Sequence, residues 1–188
     1  SSFGIISVHG YYPKNWPYKG LEWTQAIHIL SRLEKPLWWF KYDWLQCPEY
    51  NVNLLSSSID SILISNQSLD SLWIIGHSLG GMIVTYFAEE WNKTFPISIH
   101  SIAAPLILRE KSKPICNYRG KNEFSFNVGV NFFQWKTQYK LDGAFKDLEY
   151  DPQNVKLLNG KSILLPEYWE NERLGHNRSI LYVMNQLK

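Results

Sequence analysis

Hydrophobic and polar positions follow two periods along this chain. Residues 3–8 read F-G-I-I-S-V, a short apolar run of the kind buried on both faces of a sheet. Residues 37–42, 72–75, 97–103, 128–135 and 163–165 are further runs that predict strands. Between them, apolar residues recur at helical spacing: Trp23, Ala26, Ile27, Leu30 and Leu33, then Leu55, Ile59, Ile62 and Leu63. Leu79, Met82, Ile83, Tyr86 and Phe87 form a third stripe, and Ile180, Leu181, Met184 and Leu187 form a closing one. Pro36 ends the first helical element and Pro105 follows the strand at 97–103. Strand and helix alternate at least three times, which predicts an α/β fold: a mostly parallel sheet of about six strands with helices on both faces. With no repeat and no linker, residues 1–188 are expected to form a single domain.

One junction in this pattern carries chemistry. The strand at 72–75 runs into Gly76-His77-Ser78-Leu79-Gly80, and a helix follows at once. This is G-x-S-x-G between a strand and a helix, a sharp turn that presents a serine hydroxyl beyond the sheet. Gly76 and Gly80 allow strand and helix to pass closely, and the helix N-terminus brings backbone N–H groups beside Ser78. A capping serine at an ordinary turn is the competing account. The neighbouring Gly81 and the flanking elements favour the catalytic one.

A serine nucleophile needs a base, and the base needs a carboxylate to orient it. The strand-turn-helix around Ser78 resembles that of the α/β-hydrolases, whose chain order is serine, acid, histidine; that resemblance implies a base after Ser78, where only His100 and His176 lie. His100 lies in the middle of a predicted strand and reads as a core or surface residue. His176 follows the last strand and a loop and opens the final helix, so it is the candidate base. Asp142, in the Asp142-Gly143 turn after the strand at 128–135, is the first candidate acid. Asp151 is the alternative, and Glu167 and Glu170 rank behind it.

Composition narrows the picture. Of 188 residues, 45% are hydrophobic and 19% charged, which is a globular balance. The net charge of +2 comes from scattered basic residues, so no nucleic-acid partner is expected. The longest uncharged stretch, 71–88, contains the Gly-His-Ser turn and reads as strand plus helix, not as a membrane span. Cys47 and Cys116 could form one bridge, but their spacing fits no metal or redox motif, and free thiols are the expected reading. The sequons at Asn66, Asn92 and Asn177 are read as chance. Oligomeric state is left open. So is compartment, with the cytoplasm the nearer expectation and a removed leader not ruled out.

The stretch 72–81 resembles the serine signature of lipases, and the order Ser78, Asp142, His176 resembles the α/β-hydrolase superfamily, in particular its small esterase-like and lipase-like members. The resemblance implies that the strand ending at His9-Gly10 leads into an oxyanion loop, with the backbone N–H groups of Tyr11 and Leu79 as donors. His9 itself reads as a buried structural residue. The aromatic loop at 12–20 would face the substrate or simply pack on itself. Residues 106–127 occupy the place of a cap domain but are long enough only for a loop or small flap. The implied activity is hydrolysis of a small-molecule or lipid acyl ester through a Ser-His-Asp triad, with no metal and no organic cofactor. Thioester or amide hydrolysis, or acyl transfer, on the same triad is the alternative. A non-catalytic binding protein on this fold is a further one.

Overall fold

In the computed structural model of the chain, the described residues are 2–13, 15–107, 116 and 121–188. Strand β1 (Phe3–Val8) is followed by a 3-10 turn at Leu21–Trp23 and helix α1 (Thr24–Ser31). Then come β2 (Leu37–Phe40), α2 (Pro48–Ser65), β3 (Ser71–His77), α3 (Leu79–Glu90) and β4 (Ile97–Ile102). The second half contains β5 (Glu123–Ser125), β6 (Val130–Lys136), β7 (Lys156–Leu158) and β8 (Gly160–Leu164). A two-residue hairpin, β9 (Tyr168–Trp169) with β10 (Glu172–Arg173), leads into α4 (Gly175–Leu187).

The main sheet has six strands in the order β2-β1-β3-β4-β6-β8, every pair parallel. This is the α/β architecture that the alternation of periods predicts. Side chains that alternate along the strands feed two cores. Ile5, Ile75, Ile102 and Trp135 point to the face covered by α1 and α4, where Ala26, Leu30, Ile180 and Val183 are fully buried or nearly so. Ile6, Val8, Leu72, Ile74 and Ile99 point to the face covered by α2 and α3, against Leu55, Ile59, Ile83 and Phe87. Strands buried on both sides lose the polar alternation of a surface sheet and appear as continuous apolar runs.

Three parts of the fold differ from the sequence reading. The strand expected at 128–135 begins at Val130, and Val128 is fully open to solvent. The acidic loop before α4 contains the β9–β10 hairpin, and β5 and β7 pair as a second small parallel sheet. Each of these strands is two or three residues long, too short for a periodic signal. The segment 106–127 lies partly outside the described residues, including Arg109, Lys111, Lys113 and Arg119.

The expectation of free thiols is overturned. Cys47 and Cys116 form a disulfide, with Cα atoms 5.3 Å apart. Their separation of 69 residues hid the pairing, because only the folded chain brings the N-cap of α2 beside the segment after β4. Such bridges persist in oxidising compartments. No helix among the described residues is long and apolar enough to cross a membrane.

Candidate active site

The sheet order reverses between β1 and β3: β2 lies on one side of β1, and later strands are added on the other. Ligands in such sheets bind beyond the carboxyl ends of the strands at this switch point. The two ends are in register, with Val8 opposite Gly76, so Gly10 and Ser78 emerge side by side. A Cβ added at Gly10 would lie 3.1 Å from the Cβ of Ser78.

Ser78 adopts φ 55° and ψ −119°, a strained conformation for a residue with a side chain. One tertiary and one helical backbone bond hold it there. Its N–H donates to the Ile102 carbonyl at 2.8 Å, and its own carbonyl accepts the Met82 N–H at 3.0 Å. The turn can be this sharp because two glycines let backbones touch. A Cβ at Gly76 would lie 2.4 Å from the Gly80 carbonyl oxygen, and one at Gly80 would lie 2.3 Å from the carbonyl oxygens of Val8 and His9. Leu79 opens α3, where the first N–H groups of a helix have no acceptor within the helix.

His176 sits in the first turn of α4 and shares a cavity of about 530 Å³ with Ser78, Gly10 and Tyr11. Its Nδ1–H donates to Oδ2 of Asp142 at 2.9 Å. Asp142 is fully buried and accepts two further donors: the Ala144 N–H on Oδ1 at 2.8 Å and the Thr137 hydroxyl on Oδ2 at 2.5 Å. The tight turn from Gln138 to Asp142 carries the carboxylate across the residues that separate it from β6. The edge of Phe145 packs on the His176 ring. Ser78, His176 and Asp142 are thus brought together from three separate elements.

Asp151 lies elsewhere. Its Oδ1 caps the Gln153 N–H at 2.9 Å and accepts from the Gln153 side-chain amide at 3.2 Å. Gln153, also fully buried, clamps the backbone of Thr137: Oε1 accepts the Thr137 N–H at 2.9 Å, and Nε2 donates to the Thr137 carbonyl at 3.1 Å. Asp151 therefore stands behind Gln153 and Thr137 rather than beside His176. Thr137 and Gln153 gave no signal in sequence, since nothing in their spacing ties them to Asp142.

His77 is a further residue that the motif contained but that the sequence reading gave no role. Its ring is buried, and Nε2–H donates to the His176 carbonyl at 3.1 Å. Ser179 donates to the same carbonyl at 2.5 Å. Burial, helped by the nearby His176, keeps the His77 imidazole well below its ordinary pKa and therefore neutral.

His9 and His100 belong to the core, while His28 is exposed on α1. His9 is buried, donates from Nδ1 to the Gly10 carbonyl at 2.8 Å and stacks on Tyr42. Burial lowers its pKa, with a partial offset from the Gly10 bond. His100 accepts the Trp135 indole N–H at 3.2 Å and stacks on Phe133. Burial lowers its pKa to about 4. In the aromatic loop, Tyr11, Tyr12, Pro13 and Trp16 line the cavity, while Tyr18 packs edge-on against Trp16.

The sequence matches no protein-family model, and no curated protein is similar to it. Solved structures are similar in fold. A Xanthomonas campestris α/β serine hydrolase without lid superposes with a TM-score of 0.57 at 13% identity, covering 98% of this chain and 78% of that one. The poly(3-hydroxybutyrate) depolymerase LpqC of Bordetella parapertussis gives 0.60 at 11%, covering 99% and 78%. Est1E of Butyrivibrio proteoclasticus gives 0.59 at 11%, covering 99% and 85%. At these identities the likeness is one of architecture.

Proposed function

From an α/β-hydrolase fold of minimal size, we propose that this chain is a serine hydrolase that cleaves carboxylic esters. The observation that carries the reading is the convergence, in one cavity, of a serine on a strained strand-to-helix turn with a histidine whose Nδ1 is bonded to a buried carboxylate. The description of similarly folded proteins as a serine hydrolase and a depolymerase adds support.

Asp142 holds the Nδ1–H of His176, which leaves Nε2 to take the Ser78 proton. The Ser78 oxygen then attacks the ester carbonyl. The resulting oxyanion is met by the backbone N–H groups of Tyr11 and Leu79, each worth about 3 kcal/mol at the transition state. His176 passes its proton to the departing alcohol, and the acyl group remains on Ser78. Water adds to the acyl-enzyme with His176 again as base, and the carboxylic acid leaves. The neutral His77 fixes the backbone of the base without setting a second positive charge beside it.

The test is labelling of the purified protein with a fluorophosphonate probe, read by intact mass beside Ser78→Ala. One adduct that disappears in the variant supports an activated serine. No adduct on folded wild-type protein overturns the proposal. A series of p-nitrophenyl esters, with thioester and amide analogues, then separates ester hydrolysis from the other acyl chemistries.

A further inference from the structure

We propose that the ester taken by this cavity carries a positive charge, an alkylammonium group seated between the Glu22 carboxylate and the rings of Tyr11 and Trp16. This rests on the hydrolase reading above and names its substrate class. Three observations lead to it.

Glu22 lines the same cavity as Ser78 and His176, and among the described lining residues there is no lysine or arginine. The carboxylate is held in place: the Tyr12 hydroxyl donates to its Oε1 at 2.5 Å, and Tyr12 is itself buried. Burial and the neighbouring Glu22 push the Tyr12 hydroxyl far up in pKa, so it stays a donor to the carboxylate. A fixed carboxylate in a cavity where an oxyanion must form opposes that oxyanion by Coulomb repulsion. It would hinder a neutral acyl ester. A substrate that brings its own cation cancels the repulsion and gains from it.

The walls suit the same group. Tyr11 and Trp16 are about half exposed, at 52% and 45%, and border the cavity with Pro13. Electron-rich ring faces attract ammonium groups, and quaternary ammonium most readily because it is weakly hydrated.

The approach is acidic as well. Glu22 and Asn177 also line a second hollow of about 580 Å³, bordered by Glu170 and Glu172. Its arginine, Arg178, is already paired with Glu172 at 2.7 Å. The chain as a whole carries a net charge of +2, so this local negative field runs against its overall balance.

A structural account of Glu22, as an acceptor for Tyr12 alone, is separable, because glutamine also accepts that bond. The experiment compares kcat/KM for the choline ester and the uncharged 3,3-dimethylbutyl ester of one short acid. Wild type is expected to favour the charged ester tenfold or more, with the ratio collapsing toward one in Glu22→Gln. A ratio near one in wild type, or a preference that survives in Glu22→Gln, overturns the inference. Tetramethylammonium titrated into Ser78→Ala, followed by tryptophan fluorescence, reads the cation site without turnover. Saturable binding that weakens at least tenfold when Glu22→Gln is added supports the site, and undiminished or absent binding overturns it. If neither ester is cleaved, the fluorophosphonate label decides the hydrolase reading, and this titration still decides the cation site.

Discussion

Thr137 and His176 donate to one and the same oxygen of Asp142, at 2.5 and 2.9 Å. The hydroxyl therefore fixes where the carboxylate meets the imidazole. Thr137→Val keeps the shape and removes the donor. A hydrogen bond to a charged group is worth about 1.5–3 kcal/mol, so kcat/KM for a p-nitrophenyl ester is expected to fall about tenfold or more. The loss should appear in kcat rather than KM, since Thr137 does not line the cavity.

The two candidate acids are expected to respond differently. Asp142→Asn removes the acceptor that holds the His176 tautomer, and kcat is expected to drop about 10⁴-fold. Asp151→Asn keeps an acceptor oxygen for Gln153 and is expected to stay within about threefold of wild type. Steady-state kinetics on the two purified variants make the comparison. An equal loss in both would assign Asp151 a direct role that the hydrogen bonds of its carboxylate, both to Gln153, do not support.

Gly80→Ala places a methyl group 2.3 Å from two carbonyl oxygens of β1's end, atoms that belong to backbone and cannot swing aside. Overpacking of this kind costs about 1–3 kcal/mol. At about 2–4 °C per kcal/mol for a chain of this size, the melting temperature is expected to fall by several degrees. Calorimetry checks it, and labelling of Ser78 should weaken in parallel, because α3 and β1 must separate.

Acid is expected to destabilise the fold from about pH 6.5 downward, through its buried histidines. The folded pKa of His100 is depressed from 6.5 to about 4. As pH falls below 6.5 the unfolded chain takes up this proton first. The stability that neutral His100 contributes is thus complete above 6.5 and is lost as pH drops toward 4. A depression of this size corresponds to about 3 kcal/mol. Burial lowers the pKa of His9 and His77 as well, and both add to the loss with the same sign. Urea unfolding at pH 7 and pH 4.5 measures the total, and His100→Gln is expected to reduce the difference.

Removing the Cys47–Cys116 bridge releases a loop of 69 residues. The chain-entropy relation gives about 4 kcal/mol for a loop of that length. Reduced protein, or Cys47→Ser, is expected to unfold at a lower urea midpoint, and thiol titration of the native protein should find no free cysteine.

Much of this was legible in the chain itself. Buried strands such as β1 and β3 leave apolar runs, and helices against them leave stripes at a period of 3.6, so the α/β class followed from patterning alone. The serine turn was legible because its geometry is local: Gly76, Ser78 and Gly80 are neighbours, and the steric need for both glycines lies within one strand, one helix and the end of β1. That His176 lies in the cavity of Ser78 was legible from the resemblance, which puts a histidine after the serine along the chain. What required the tertiary structure were relations between residues far apart in sequence. Only the turn at Gln138 to Asp142 decides that Asp142 rather than Asp151 meets His176. Only the fold places Gln153 behind Thr137 and Cys116 beside Cys47, and turns Glu22 into the cavity of Ser78. The reason is physical: periodicity records which side of an element is buried, whereas a side-chain contact depends on where two elements end up, and no local pattern encodes that.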